Sequence, residues 1–245
     1  MSDLEFRYEP GPGEPLAARL GHYPPEKDRL LDAIRAVARP AVSGLVRAGF
    51  RVQVVGTLPD LPRLALLPNH QSHLDSLAIF SAMPDRLRRR VTLLAAKDYF
   101  FERWPTALAV SLVGRCAACD RASQLSELRR WSRLLEAAGD GWFLVYPSGS
   151  RRETKPHPGL ALILARSGFP VVPVALAGTA AAWPVGHALP RPGARVRVTF
   201  GDVLAVDSAK DLVAELAAFW KSHGRLDREA GAAAGPAPTT REVGG

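Results

Sequence analysis

The sequence predicts an α/β fold with a mixed, largely parallel central sheet flanked by helices, and three observations carry that reading. Short apolar runs bounded by turn residues recur along the middle of the chain, helical patterns separate them, and an amphipathic helical stretch comes first. Strand and helix alternation of this kind is what a layered α/β sandwich requires, because each crossover helix covers a sheet face.

The strands are expected at Arg51–Gly56, Arg63–Leu67, Val91–Ala95, Trp142–Tyr146, Val171–Leu176 and Arg195–Phe200. Helices are expected at Ser76–Met83, Phe100–Val113, Ser123–Ala138, Gly159–Ser167 and Ser208–Ser222. From Glu26 to Gly49 the apolar residues Leu31, Ile34, Ala38, Val42 and Leu45 recur at spacings of three and four, with Arg35, Arg39 and Arg47 to the side and back and Pro40 as a possible kink. This helix either packs its apolar stripe on the domain core or lies in a membrane interface with its arginines on lipid headgroups.

Residues 1–25 carry interleaved Pro and Gly and read as an irregular arm, and the tail 225–245 is Ala, Gly and Pro rich and reads as disordered. The working domain is therefore expected over 26–224. The 245 residues are 47% apolar and 23% charged, ordinary globular composition for one sizeable core.

The 32 Lys and Arg against 24 Asp and Glu give a net charge of +8, which favours anionic partners such as phosphates, an acidic carrier protein or an anionic bilayer. No nucleic-acid partner is expected. The only cysteines, Cys116 and Cys119, stand in Cys-Ala-Ala-Cys without the further ligands a structural zinc needs, so they read as small buried thiols of a reducing cytosol. Met1 to Tyr8 is acidic and polar, unlike a signal peptide. The longest charge-free run, residues 167–190, is broken by Pro170, Pro173, Pro184 and Pro190, so no spanning helix is expected and membrane contact would be peripheral, on the cytoplasmic face.

The chemistry-bearing residues begin after the run Leu64–Leu67, at Pro68-Asn69-His70-Gln71-Ser72-His73-Leu74-Asp75. Five residues apart on one helix, His70 and Asp75 would point about 140° away from each other. They pair only if His70 sits in the strand-to-helix loop and Asp75 in the first helical turn, a start that Ser72-x-x-Asp75 supplies as a near capping box. Asp75 would then hold one imidazole nitrogen while the other takes a proton from an alcohol. The alternative is a capping Asp75 and an ordinary loop histidine; a His70–His73 metal site lacks ligands to complete it.

A second cluster, Tyr146-Pro147-Ser148-Gly149-Ser150-Arg151, follows an apolar run. It is either a phosphate cradle, with backbone N–H groups and a guanidinium fork, or simply a turn. A third lies between Gly114-Arg115 and Asp120-Arg121.

Together these clusters resemble the glycerol-3-phosphate and 1-acylglycerol-3-phosphate acyltransferase family, in four blocks from Ala65 to Thr179. The blocks are His70 to Asp75; Lys97-Asp98 with Gly114 and Asp120-Arg121; Pro147-Ser148-Gly149-Ser150-Arg151; and Val172-Pro173-Val174 to Gly178-Thr179. The resemblance implies a catalytic dyad of His70 and Asp75, with Arg121, Gly149 and Arg151 at the acceptor's phosphate and Lys97, Ser148 and Ser150 also among the substrate-binding residues. Ser148 stands where the family's commonest third block has Glu, a form similar to some soluble plastid-type members.

The same resemblance implies O-acyl transfer from acyl-CoA or acyl carrier protein to a lysophosphatidic-acid-like or glycerol-3-phosphate-like hydroxyl in phospholipid biosynthesis, without metal or redox cofactor. Arg86, Arg88, Arg89 and Arg90 are candidates for attracting the anionic donor. A thioesterase or lipid hydrolase and a silent membrane-binding protein are the competing readings.

Overall fold

A computed structural model describes residues 29–96, 114–119, 132, 135, 140–149, 155–187, 189–204 and 208–226. The arm 1–25, most of the tail, and the helices expected at 100–113 and 123–138 lie outside the described residues, apart from helical Ser132 and Leu135.

The described elements are α1 (Arg29–Gly49), β1 (Arg51–Val55), β2 (Leu64–Pro68), α2 (Asp75–Ala82), α3 (Asp85–Arg88), β3 (Val91–Ala96) and β4 (Arg115–Cys119). They continue with β5 (Trp142–Leu144), α4 (Pro158–Ser167), β6 (Val171–Ala177), α5 (Thr179–Ala182), β7 (Arg195–Phe200) and α6 (Ala209–His223). The strands form one seven-stranded sheet in the order β1-β7-β6-β2-β5-β3-β4. Every neighbouring pair is parallel except β6 with β7, so the sheet is mixed and largely parallel, as the alternation predicts.

Period-two patterning sorts the core into two layers. Leu64 and Leu66 of β2 join Leu74, Ile79, Phe80 and Val198 on the face that α1 and α2 cover. Ala65 and Leu67 of the same strand join Phe143, Phe169, Leu212, Leu216 and Trp220 on the opposite face, beneath α4 and α6. With both faces covered, central strands such as β2 and β6 are buried throughout. His157 caps α4 by accepting from the Gly159 N–H, and Ser208 caps α6 by accepting from the Asp211 N–H.

Strand β4 is missing from the sequence prediction. Its Arg-Cys-Ala-Ala-Cys sequence has no β-branched or aromatic residue to mark it, and it forms only as an edge strand in register with β3, Thr92 opposite Arg115 and Ala96 opposite Cys119. The predicted β5 was also longer than the ladder: Val145 and Tyr146 continue past its end, with the Val145 N–H still donating to Leu66 O.

The first helix packs on the core through Val42 and Val46, with Phe50 just beyond it, and only part of the expected stripe faces inward. Arg35 and Arg39 are also buried, 4% and 6% exposed, while Val37 and Leu45 are each 72% exposed and Ile34 is also exposed. Polar bonds also join the helix to what lies beneath it. The ends of α2 and the turn after it leave carbonyls without intrahelical partners, a demand for donors. Arg47 Nε donates to Ser81 O at 3.0 Å, and Arg88 donates to Met83 O at 2.7 Å and to Ser43 Oγ at 2.6 Å. Burial lowers the pKa of Arg88, with Asp85 opposing that shift.

Helix α1 also straps the sheet. It passes into β1 at one edge, while Arg35 and Arg39 act electrostatically on Cys116 of β4 at the other edge. Its 21 residues span about 31 Å, matching the roughly 29 Å across seven strands. Burial pushes the Cys116 thiol up to about 12 despite those two cations. Cys116 is therefore expected to resist iodoacetamide at pH 8 in the folded protein and to react on denaturation, which mass spectrometry of the alkylated peptide would check.

Candidate active site

Strands β2, β3, β4, β5 and β6 run in one direction, so their C-terminal ends share one edge of the sheet, where loops carry the working residues of open α/β folds. β1 and β7 run the other way and begin at that same edge. His70 sits there, two residues beyond β2, and α2 starts at Asp75. Asn69 sets the exit of the loop: its amide donates to Leu176 O at 3.0 Å and accepts from Leu176 N at 2.7 Å, reproducing a ladder pair with a side chain.

The loop then doubles back so that His70 Nδ1 lies 2.8 Å from Asp75 Oδ2. Asp75 is fully buried, and the same oxygen accepts from the Gln71 N–H at 2.6 Å and the Ser72 N–H at 2.8 Å. One half of the expected capping box is thus present. The other half is altered, because Ser72 Oγ accepts from the Leu74 N–H and donates to Trp183 O at 2.6 Å.

This pattern assigns the imidazole tautomer. An Asp75 carboxylate oxygen already taking two N–H donors can only accept, so the proton of the third bond sits on His70 Nδ1. Nε2 keeps its lone pair. The His70 side chain is 17% exposed, and among the described residues its hydrogen-bond partner is Asp75 alone. Among the described residues the pair is half of a hydrolase triad with no serine or cysteine bonded to the base, an arrangement that suits proton abstraction from an external hydroxyl.

The third block lies beside it. Tyr146 stacks on His70 with ring centroids 4.0 Å apart, and the Gly149 N–H returns to Tyr146 O at 3.0 Å to close a tight turn through Pro147 and the buried Ser148. Gly149 has φ +69°, a backbone region where a side chain is strained, and nothing lies within 4 Å of where a Cβ would point. Ser148 and Gly149 are therefore brought to the His70 edge as expected. Lys97, Arg121, Ser150 and Arg151 lie outside the described residues; β3 and β4, which precede Lys97 and Arg121, end at the same edge.

The basic cluster proposed for the donor is elsewhere. Arg90 precedes β3 and is therefore at the opposite edge, where it pairs with Asp60 at 2.8 Å, donates to Leu61 O and Pro62 O, and lies over the Trp142 ring. Arg86 bonds Asp60, Arg89 bonds Asp85, and Arg88 is buried. Arg86 and Arg90 hold the loop at Asp60, Arg89 pairs with Asp85 one turn before it, and Arg88 joins α1 to the turn after α2.

Sequence reasoning missed the contacts of Tyr146, which it read as a strand end, and of Ser76, whose Oγ shares a 2.7 Å hydrogen bond with Tyr146 OH. Among the described residues no three His, Cys, Asp or Glu side chains converge to hold a metal, and His73 lies instead near the Trp183 ring at 5.7 Å.

The sequence matches the acyltransferase family over residues 50–177. No curated protein sequence matches the chain. Among solved structures it is similar to the 1-acyl-sn-glycerophosphate acyltransferase of Thermotoga maritima, at 21% identity and TM-score 0.56, with 80% of this chain and 82% of that one covered.

Proposed function

From the premise that the chain belongs to the acyltransferase family, we propose that it transfers a fatty acyl group from a thioester to the free hydroxyl of a lysophosphatidic-acid-like or glycerol-3-phosphate-like acceptor. The observation that carries this is the His70–Asp75 pair, 2.8 Å apart with no protein nucleophile bonded to it among the described residues. His70 Nε2 takes the acceptor's proton as its oxygen attacks the thioester carbonyl carbon. The C–S bond then breaks, and the imidazolium returns the proton to the departing thiolate, leaving an ester and a free thiol. General base help of this kind is worth about 10²–10⁴ in rate, and positioning adds more.

The acceptor class rests on the four-block resemblance and on the similar protein from Thermotoga maritima, which acts on 1-acyl-sn-glycerophosphate. Donors are acyl-CoA or acyl carrier protein. The test is thiol release from acyl-CoA against a panel of lysolipids and glycerol 3-phosphate. Release that rises only with a phosphate-bearing acceptor and yields its ester supports the reading; release independent of acceptor makes the protein a thioesterase.

We further propose peripheral docking on an anionic, cytoplasm-facing membrane through the exposed apolar side of α1 and the loop before β7. No described helix is long and apolar enough to cross a membrane. Support comes from the outward stripe Ile34, Val37 and Leu45 of α1, and from exposed Val185 and Leu189 in the loop before β7. That loop meets the end of α1 where the Gly193 N–H donates to Gly49 O at 2.7 Å.

Arg35 and Arg39 are turned into the protein, so the apolar face and not the arginines would enter the interface. Replacing Ile34, Val37 and Leu45 together by Gln is expected to lower partition onto anionic vesicles at least about tenfold, since each apolar side chain withdrawn from lipid forfeits on the order of 1 kcal/mol. Vesicle sedimentation at low and high salt measures it. Unchanged binding would move the contact off α1.

A further inference from the structure

We propose that Tyr146 is a positioning residue for His70: its ring is a fixed wall against one face of the imidazole, and Ser76 anchors that wall through the tyrosine hydroxyl. The inference rests on the reading of His70 as the base. Terminal ring torsions are broad, so an imidazole held only at Nδ1 can rock about that bond and carry Nε2 off the line to the acceptor hydroxyl. Catalytic geometry tolerates only about 10–20° of such motion.

Asp75 fixes the ring edge at 2.8 Å, and Tyr146 closes one side with centroids 4.0 Å apart and planes 29° from parallel. Offset stacking of this kind is attractive for aromatic rings. The wall is itself held, because Tyr146 OH shares a 2.7 Å hydrogen bond with Ser76 Oγ. Ser76 directly follows Asp75 in the first turn of α2. One helix start therefore supplies both the carboxylate that orients the base and the tether of the ring that covers it, so the two restraints move together. Nε2, which bonds no described residue, is left to substrate.

The test compares Tyr146→Phe, Tyr146→Leu, Ser76→Ala and the double variant Ser76→Ala/Tyr146→Phe. Tyr146→Leu is expected to lower kcat about tenfold with both KM values within about twofold, because misplacing a base by a fraction of an ångström acts on turnover. Tyr146→Phe keeps the wall and should stay within about threefold of wild type. Ser76→Ala should match it, and the double variant should lose no more than either single change, since both cut one tether.

An NMR arm reads the stack without substrate: the His70 ring protons should lie upfield of their exposed positions in wild type and Tyr146→Phe, and return downfield in Tyr146→Leu. Wild-type kcat in a folded Tyr146→Leu protein, multiplying losses in the double variant, or no upfield displacement in wild type would each overturn the proposal. A wild-type protein that transfers no acyl group would defeat the acyltransfer reading instead, while the NMR arm still decides the stack.

Discussion

Replacing His70 by alanine is expected to lower acyl transfer at least about 100-fold while the protein still folds. His70 Nε2 carries the only lone pair aimed out of the dyad, so its loss removes proton abstraction from the acceptor and proton return to the thiolate together. The structural cost is small by comparison. The ring is partly exposed, and the Asp75 oxygen it leaves keeps the Gln71 and Ser72 N–H donors. One lost hydrogen bond is worth about 1–2 kcal/mol, which for a domain of this size moves the melting temperature by only a few degrees. Initial rates of thiol release with acceptor, beside a thermal melt, decide it. Near-normal transfer by a folded variant would remove His70 from the mechanism.

Asp75 tests the same mechanism from the other side, and its two replacements separate two roles. Asp75→Asn preserves shape but presents an amide where the carboxylate accepted the Nδ1–H of His70. The amide oxygen takes the place of Oδ2, because an N–H there would face the Gln71 and Ser72 N–H donors, so the Nδ1–H bond survives while the negative charge that stabilises the imidazolium is lost. Loss of about 10²–10⁴ in kcat is expected from the missing charge, with modest loss of stability.

Asp75→Ala should match it in rate and cost more in stability. It abandons two backbone N–H groups, of Gln71 and Ser72, inside a loop where Asp75 is fully buried, at about 1–3 kcal/mol for each buried donor left unpaired. A cap alone would predict nearer 1 kcal/mol. Comparing kcat and melting temperature across both variants is decisive: full activity in Asp75→Asn would mean that the charge of Asp75 does not assist His70.

Local pattern by itself determined the architecture of this chain and marked the loop that carries His70. Continuous apolar runs such as Leu64–Leu67 bury both faces only in a covered sheet, and the helical stretches between them supply the cover. The five-residue spacing of His70 and Asp75 excluded a continuous helix and required a loop followed by a helix start, which is the geometry found.

Tertiary structure alone decided which way α1 faces. An amphipathic pattern states that a helix has two unlike sides, not which side meets the protein. Here Arg47 of α1 reaches Ser81 O, Arg88 reaches Ser43 Oγ of α1, and Val46 enters the core, while Val37 and Leu45 stay outside.

The same distinction explains β4, whose small residues form a strand only because β3 offers an edge, and Arg90, whose charge is committed to Asp60 at the end of the sheet remote from His70. It explains Tyr146 as well. A tyrosine after a strand carries no sign of the imidazole it stacks on, because that ring arrives from a loop 76 residues earlier in the chain. Periodicity reports what each segment must bury, whereas the pairing of polar groups depends on which segments the topology brings to one edge.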